Sequence, residues 1–276
     1  MKHLLAIAAI ITGFNSLSAK NNTAAYECIY EYTVKGEDKK NNPFSDVGYC
    51  ILQIGNGDAK FYDYTTFQTD SVRQAGADEK VIGQYELRQQ RAVNFFDQTV
   101  YQNAPKGKMT VESVITPNYF TYEDNRYPVE WTMVEATDTV CGYLCNTARG
   151  EYGGRTWTVK YAPEIPVQYG PWKLTGLPGL ILDAQDEEGI HHFSAITFRN
   201  ATSQIIPPQN KGKISTNRDK FIQNKNHFEK NPVGNLPPES ISEMEIRKGE
   251  DGQGTILVNG VQLRMREHPY IPLELK

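Results

Sequence analysis

The 276-residue chain lacks any basic stripe: 29 Lys and Arg stand against 33 Asp and Glu, mixed along its length, for a formal charge of −4. Binding to a phosphate backbone depends on clustered cations and counterion release, so no nucleic-acid partner is expected. Cysteine is scarce, with four, and so is histidine, with five, which confines thiol, imidazole and metal chemistry to a few places. The patterns G-x-S-x-G, H-E-x-x-H, a P-loop and a post-strand G-x-G-x-x-G are all absent. With them go the short sequence routes to a nucleophile elbow, a zinc peptidase, a phosphate cradle and a dinucleotide site. No resident cofactor or metal is expected. Beyond residue 19 no apolar run approaches the ~20 residues of a spanning helix, so no transmembrane span is expected in the mature chain.

What is present points to strands. The 16 Tyr, 11 Phe and 3 Trp suit a pleated, half-buried surface. Met1-Lys2-His3, the apolar run Leu4–Ile11 and the small residues Asn15–Ala19 read as a secretory signal peptide over 1–19, cut after Ser18 or Ala19. No cysteine stands at the cut, which disfavours a lipid anchor. The expected organisation is one β-rich domain over 20–276, exported to the periplasm or beyond.

In that compartment the four cysteines permit three pairings. Cys28 and Cys50 lie symmetrically about Lys39, so an antiparallel hairpin would set them opposite each other. Cys141 and Cys145 would be ~13 Å apart on a straight strand, and can bond only if Gly142-Tyr143 turns the chain. Cys28–Cys50 and Cys141–Cys145 are the expected bridges. A redox role for Cys141-Gly-Tyr-Leu-Cys145 is weighed against its spacing, one residue longer than C-x-x-C.

Period-two alternation predicts strands over 26–34, 48–54, 60–67, 109–115, 118–124, 128–136, 139–148, 155–161, 180–184 and 190–198. A helix-favouring, proline-free run occupies 71–92, with Ser71 as its cap, and a second helix is expected from Thr216 to Asn231-Pro232. The fold class expected is mainly β: a curved antiparallel sheet or half-barrel with one or two covering helices.

Residues 169–183, YGPWKLTGLPGLILD, interleave Gly170, Gly176, Gly179, Pro171 and Pro178 with Trp172, Leu174, Leu177 and Leu180–Leu182. Such a segment suits neither a regular helix nor a central strand, while its apolar side chains must leave water. A bent, buried crossing that launches a strand at Leu180 satisfies both demands. Gly-Leu-Pro-Gly-Leu-Ile at 176–181 resembles the signature of the GLPGLI family of exported Bacteroidetes proteins. Gly142–Ala148, Gly154-Arg155, Ala162–Pro166 and Gly170–Lys173 also look like the block preceding that signature. The resemblance implies export and a β-rich fold but no established activity.

Four histidines lie beyond the leader. His191 and His192 point to opposite faces of a strand, so at most one joins a given site with Asp183 or Asp186. Glu164 and Asp183 flank the signature, with Arg155 and Lys173 near in sequence, and a buried carboxylate–Arg pair is expected to hold the bend. If the sheet curves about an apolar cavity, Tyr161, Trp172, Leu174, Leu177 and Leu180 are the residues expected at its mouth or floor. Asp70-Ser71-Val72 and Asp138-Thr139-Val140 look like short O-glycosylation acceptors of exported Bacteroidetes proteins.

Two functional readings follow. One is a non-catalytic envelope protein that carries an apolar or peptide ligand or docks an outer-membrane protein. The alternative is a periplasmic hydrolase or thiol-redox enzyme with an unrecognised site.

Overall fold

The alternating segments form strands, and their polar and glycine-rich connections become turns. The computed structural model describes residues 23–92, 94–248 and 254–276; the expected leader, 1–19, lies outside them. In chain order the elements are β1 (Tyr26–Glu37), β2 (Pro43–Ile54), β3 (Ala59–Asp63), α1 (Tyr64–Gln74), α2 (Glu79–Gln90), β4 (Gln98–Gln102), β5 (Lys108–Ile115), β6 (Asn118–Asn125), β7 (Thr132–Val140), β8 (Tyr143–Tyr152), β9 (Arg155–Ala162), β10 (Leu180–Asp186), β11 (His191–Asn200), β12 (Ile214–Ser215), α3 (Arg218–Lys230), β13 (Met244–Lys248), β14 (Gly254–Val258) and β15 (Val261–Leu263). The first twelve strands make one sheet, ordered β12-β6-β5-β4-β3-β2-β1-β11-β10-β9-β8-β7, and the last three make a small second sheet. Among the described residues only β12 pairs in parallel, with β6.

The large sheet curls strongly without closing. Tyr152 Oη on β8 donates to Asp124 Oδ2 on β6 at 2.6 Å, although these strands lie near opposite ends of the order. The concave face holds the main core, including Cys28, Tyr30, Leu52, Phe61, Val111, Trp157 and Phe193. On the convex face Ile29, Ile51 and Tyr62 pack beneath Tyr64 and Phe67 of α1. The β7 edge is exposed from Thr132 to Thr139.

Several boundaries differ from expectation for local reasons. The strand expected over 60–67 ends at Asp63, whose carboxylate accepts the Thr66 N–H at 3.0 Å and starts α1 there. The single run over 71–92 is two helices, because Gly76 takes φ +70° and Asp78 caps a new start through Val81 N–H. Asn217, rather than Thr216, caps α3, accepting from Lys220 N–H at 2.9 Å. The expected Cys28–Cys50 bridge is absent, and the register explains it. Glu37 pairs with Pro43, so the hairpin centres on Lys40 instead of Lys39, setting Cys28 against Leu52 and Cys50 against Tyr30. Diagonal residues stand ~7–8 Å apart, beyond disulfide reach. The Cys141–Cys145 bridge is absent too. Cys141 and Gly142, with φ +51° and +83°, form the two-residue turn between β7 and β8, leaving Cys141 at the tip and Cys145 on β8 opposite Asp138. All four thiols are free.

Residues 163–179 cross the concave face as an irregular segment and launch β10 at Leu180. Gly176 takes φ +100°, which side-chain-bearing residues rarely adopt. Gly179 is required by space, since a Cβ there would stand 2.4 Å from the Ala162 carbonyl oxygen. Trp172 itself takes φ +55°. Gln102 on β4 pins that bend, donating from Nε2 to the carbonyls of Gly170 at 2.8 Å and Trp172 at 2.6 Å.

Candidate functional site

The five side chains expected at a cavity wall lie in packing. Trp172, Leu174 and Leu180 are fully buried, Leu177 and Tyr161 nearly so, and none lines any of the five clefts described below. Trp172 packs against Trp157 and Tyr152 at ring separations of 5.7 and 5.2 Å, and its Nε1 donates to Gln98 Oε1 at 3.1 Å.

The charges around the crossing differ from those expected. Glu164 is exposed, and Arg155 pairs with Asp186 at 2.7 Å, both side chains almost wholly buried. Lys173 is completely buried, with Nζ 2.6 Å from Glu274 Oε1, 3.3 Å from Asp124 Oδ2 and 3.0 Å from Tyr122 Oη. Burial pushes the Lys173 pKa down, but Glu274, Tyr152 and Asp124 outweigh it, and the net shift is upward. Arg218 joins at 2.7 Å from Glu274 Oε2. The crossing is thus held by a C-terminal carboxylate and a β6 carboxylate.

The two histidines do take opposite faces. His192 Nε2 meets Asp183 Oδ2 at 2.8 Å on the outer face. His191 is fully buried, its Nδ1 2.9 Å from Tyr32 Oη, and its Nε2 lacks a hydrogen-bond partner. Burial, then Arg155, pushes the His191 pKa down to about 3. Among the described residues no three His, Cys, Asp or Glu side chains converge as a metal would require. The Cys145 thiol is pushed up by burial, the opposite of what a redox nucleophile needs. Of the glycosylation-like triplets, Ser71 Oγ is engaged with Phe67 O at 2.7 Å within α1, whereas Thr139 is exposed on the β7 edge.

The built concavity lies elsewhere, where the α1–α2 pair, the ends of β4 and β5 and the small sheet meet. Two clefts of about 420 and 470 Å³ share Gln90, Phe95, Gln262 and Arg264. A larger hollow of about 720 Å³ lies against β7–β9 and is lined by Pro128, Glu130, Arg149 and neighbours, but it encloses no buried charged group. Two more, of about 60 and 410 Å³, lie beneath the C-terminal tail and beside Arg155 and Arg218.

Arg264 is the centre of the paired clefts. Its guanidinium lies 3.7 Å from the Phe95 ring centroid and donates through Nη2 to Gln89 O at 3.1 Å. Gln262 Nε2 bonds Gln90 O at 3.0 Å, so β15 grips the last turn of α2, where the helix presents unpaired carbonyls. Burial pushes the Arg264 pKa down to about 10 against the opposing pull of Asp63 and Asp97. No carboxylate lies within ion-pair distance of it among the described residues.

Those two carboxylates line the 470 Å³ cleft and are driven apart. Burial raises the Asp63 pKa. Burial also acts on Asp97, but Lys225 and Arg266 outweigh it and hold that carboxyl below its usual range; Lys225 Nζ is 2.5 Å away. At the far end Glu112 pairs with Lys213 at 2.5 Å. The sequence reading does not single out Asp63, Phe95, Asp97 or Arg264, because they come from three segments that only the curl brings together. The one local signal was Asp63-Tyr-Thr-Thr66, a cap pattern that marks a helix start rather than a site.

No family model matches the chain, and no curated protein matches it. Two crystal forms of PNGF-II are similar in structure, with 15% and 16% sequence identity and a TM-score of 0.44 each. The similarity covers 85% of this chain and 40% of PNGF-II, so the chain spans less than half that protein's length.

Proposed function

We propose that this is an exported, non-catalytic binding protein of the GLPGLI type that takes a peptide-like ligand in the cleft around Arg264. The observation that carries the reading is Arg264 itself, a half-buried guanidinium stacked on Phe95 where two clefts meet, with its donors on backbone carbonyls and no carboxylate within ion-pair distance among the described residues. Charges of both signs along the walls suit a ligand bearing both, and the volumes lie in the range of small-ligand sites. An apolar carrier is supported less, because the oily crossing is sealed in packing.

Calorimetric titration with short peptides ending in a free carboxylate tests this, with a saturated fatty acid as comparison. A carboxylate on Arg264 contributes ~1.5–3 kcal/mol, so Arg264→Gln should weaken peptide binding roughly 10- to 100-fold. Thermal unfolding checks that the variant stays folded. Binding of the fatty acid alone, or peptide binding indifferent to Arg264, overturns the reading.

A hydrolase is the second reading, favoured by one observation: Asp63 and Asp97 share a cleft with their pKa values pushed in opposite directions, the arrangement of an acid and a base. Turnover of a peptide or glycoside abolished by Asp63→Asn would establish it in place of the first.

A further inference from the structure

The convex face carries a second group with no structural assignment. Lys60, on β3, is 5% exposed. Its Nζ sits 3.8 Å from the Tyr62 ring centroid and 5.7 Å from that of Tyr101 on β4. No hydrogen bond or ion pair reaches it among the described residues, unlike the buried Lys173 and Lys225, each held by two carboxylates. Nor is Nζ among the fully enclosed polar atoms that lack a partner, so part of the residue's small exposure falls on the nitrogen. The charged groups that face it act at longer range: Asp70 from α1, Glu112 from β5 and Lys213 from the segment before β12. Tyr62 is itself fixed, its Oη donating to Gln53 Oε1 at 3.0 Å.

We propose that Lys60 is an imine-forming site: an amine walled by two tyrosine rings, left without a hydrogen-bond partner and open to small molecules, which captures a small aldehyde or ketone. The amine lone pair attacks the carbonyl carbon, forming a C–N bond as the carbonyl oxygen takes a proton. The resulting carbinolamine loses its hydroxyl as water, with one proton supplied from solvent or Asp70 and one released from nitrogen, leaving C=N. No oxidant or reductant is required, and the tyrosine faces stabilise the cationic iminium as they do the ammonium. The two aromatic walls and the 5% exposure of the residue restrict the ligand to a few heavy atoms.

Burial pushes the Lys60 pKa down to about 8, with Asp70 and Glu112 opposing. At pH 7 that leaves about 200-fold more neutral amine than an ordinary lysine with a pKa near 10.4. The test is reductive trapping of the full chain with acetaldehyde and cyanoborohydride, read by peptide mapping across pH 6–10. Lys60 should be ethylated on the order of tenfold or more ahead of the other lysines near pH 7, with its rate levelling above about pH 8 while theirs still climb. Lys60→Met should abolish that early adduct alone. Because the wild-type pH profile is read site by site, the outcome does not depend on the variant folding. Labelling of Lys60 at the rate of exposed lysines, or later, or with a midpoint near 10, overturns the proposal and leaves a structural cation–π lysine.

Discussion

Replacing Lys173 by Met tests how the crossing is held. The side chain is wholly buried and its ammonium meets two carboxylates, Glu274 and Asp124, whose own side chains are 3% and 13% exposed. Removing one partner of a buried ion pair costs about 3–5 kcal/mol, because the other charge stays desolvated and unpaired. Here Arg218 remains 2.7 Å from Glu274 and 3.5 Å from Asp124, which sets the expectation at the lower end, about 3 kcal/mol. With a urea m-value of ~3 kcal/mol/M for a chain of this size, the unfolding midpoint should fall by about 1 M at unchanged slope. Lys173→Met combined with Glu274→Gln removes both charges, so the double variant should lose less than the sum, with a coupling of ~1–3 kcal/mol. The Lys173 pKa is raised on folding, so its contribution is complete below the unfolded value near 10.4 and is lost only as pH rises through the higher folded value. The deficit should therefore be flat from pH 6 to 9. A single variant within ~1 kcal/mol of wild type, or strict additivity in the cycle, would refute the claim that this charge cluster anchors the bend.

Two glycine substitutions should move stability in opposite directions. Gly179→Ala drives a methyl to 2.4 Å from the Ala162 carbonyl and should cost at least ~2 kcal/mol, whereas Gly83→Ala, in the interior of α2 with open space around it, should gain ~0.5–1 kcal/mol; equal effects in urea melts would show that the crossing tolerates its neighbours moving. His191, held down to about 3 by burial, binds its proton only in the unfolded chain between that value and ~6.5. Stability from it is therefore present above pH 6.5 and is lost on acidification at up to ~1.4 kcal/mol per unit, about 2 kcal/mol by pH 5. His191→Phe should flatten that limb while keeping the ring stack on Tyr32, and an unchanged limb would mean that the imidazole is protonated in the folded protein.

What the sequence made legible was whatever a short window determines. Alternation placed each expected strand over an observed one, since one buried face dictates period two, but several ends were displaced by a few residues and the second half of 60–67 is helix. The crossing was legible because Gly176 and Gly179 are demanded by backbone geometry that the chain itself imposes. The charge partners were not. Lys173 finds Glu274, 101 residues on, and Asp124 on the far flank of the sheet, so proximity in sequence to Glu164 and Asp183 carried no information. The bridge Cys28–Cys50 failed on a single residue of hairpin centring, which antiparallel pairing converts into a two-residue offset of every partner.

The same curl explains why the oily signature and the cleft are separate. An apolar segment laid across a concave sheet fills the space a ligand would need, and the buried Lys173 forces carboxylates from β6 and the tail to converge there as well. What remains open is the rim, where α2 ends and the small sheet cannot pack flush. Strand β4 links the two: Gln98 and Gln102 hold the crossing from within, and Asp97, immediately before them, lines the cleft with its charge fixed by Lys225 and Arg266. The sealed interior therefore fixes the strand whose start forms one wall of the cleft, so the position of Asp97 is set in part by hydrogen bonds made within the core.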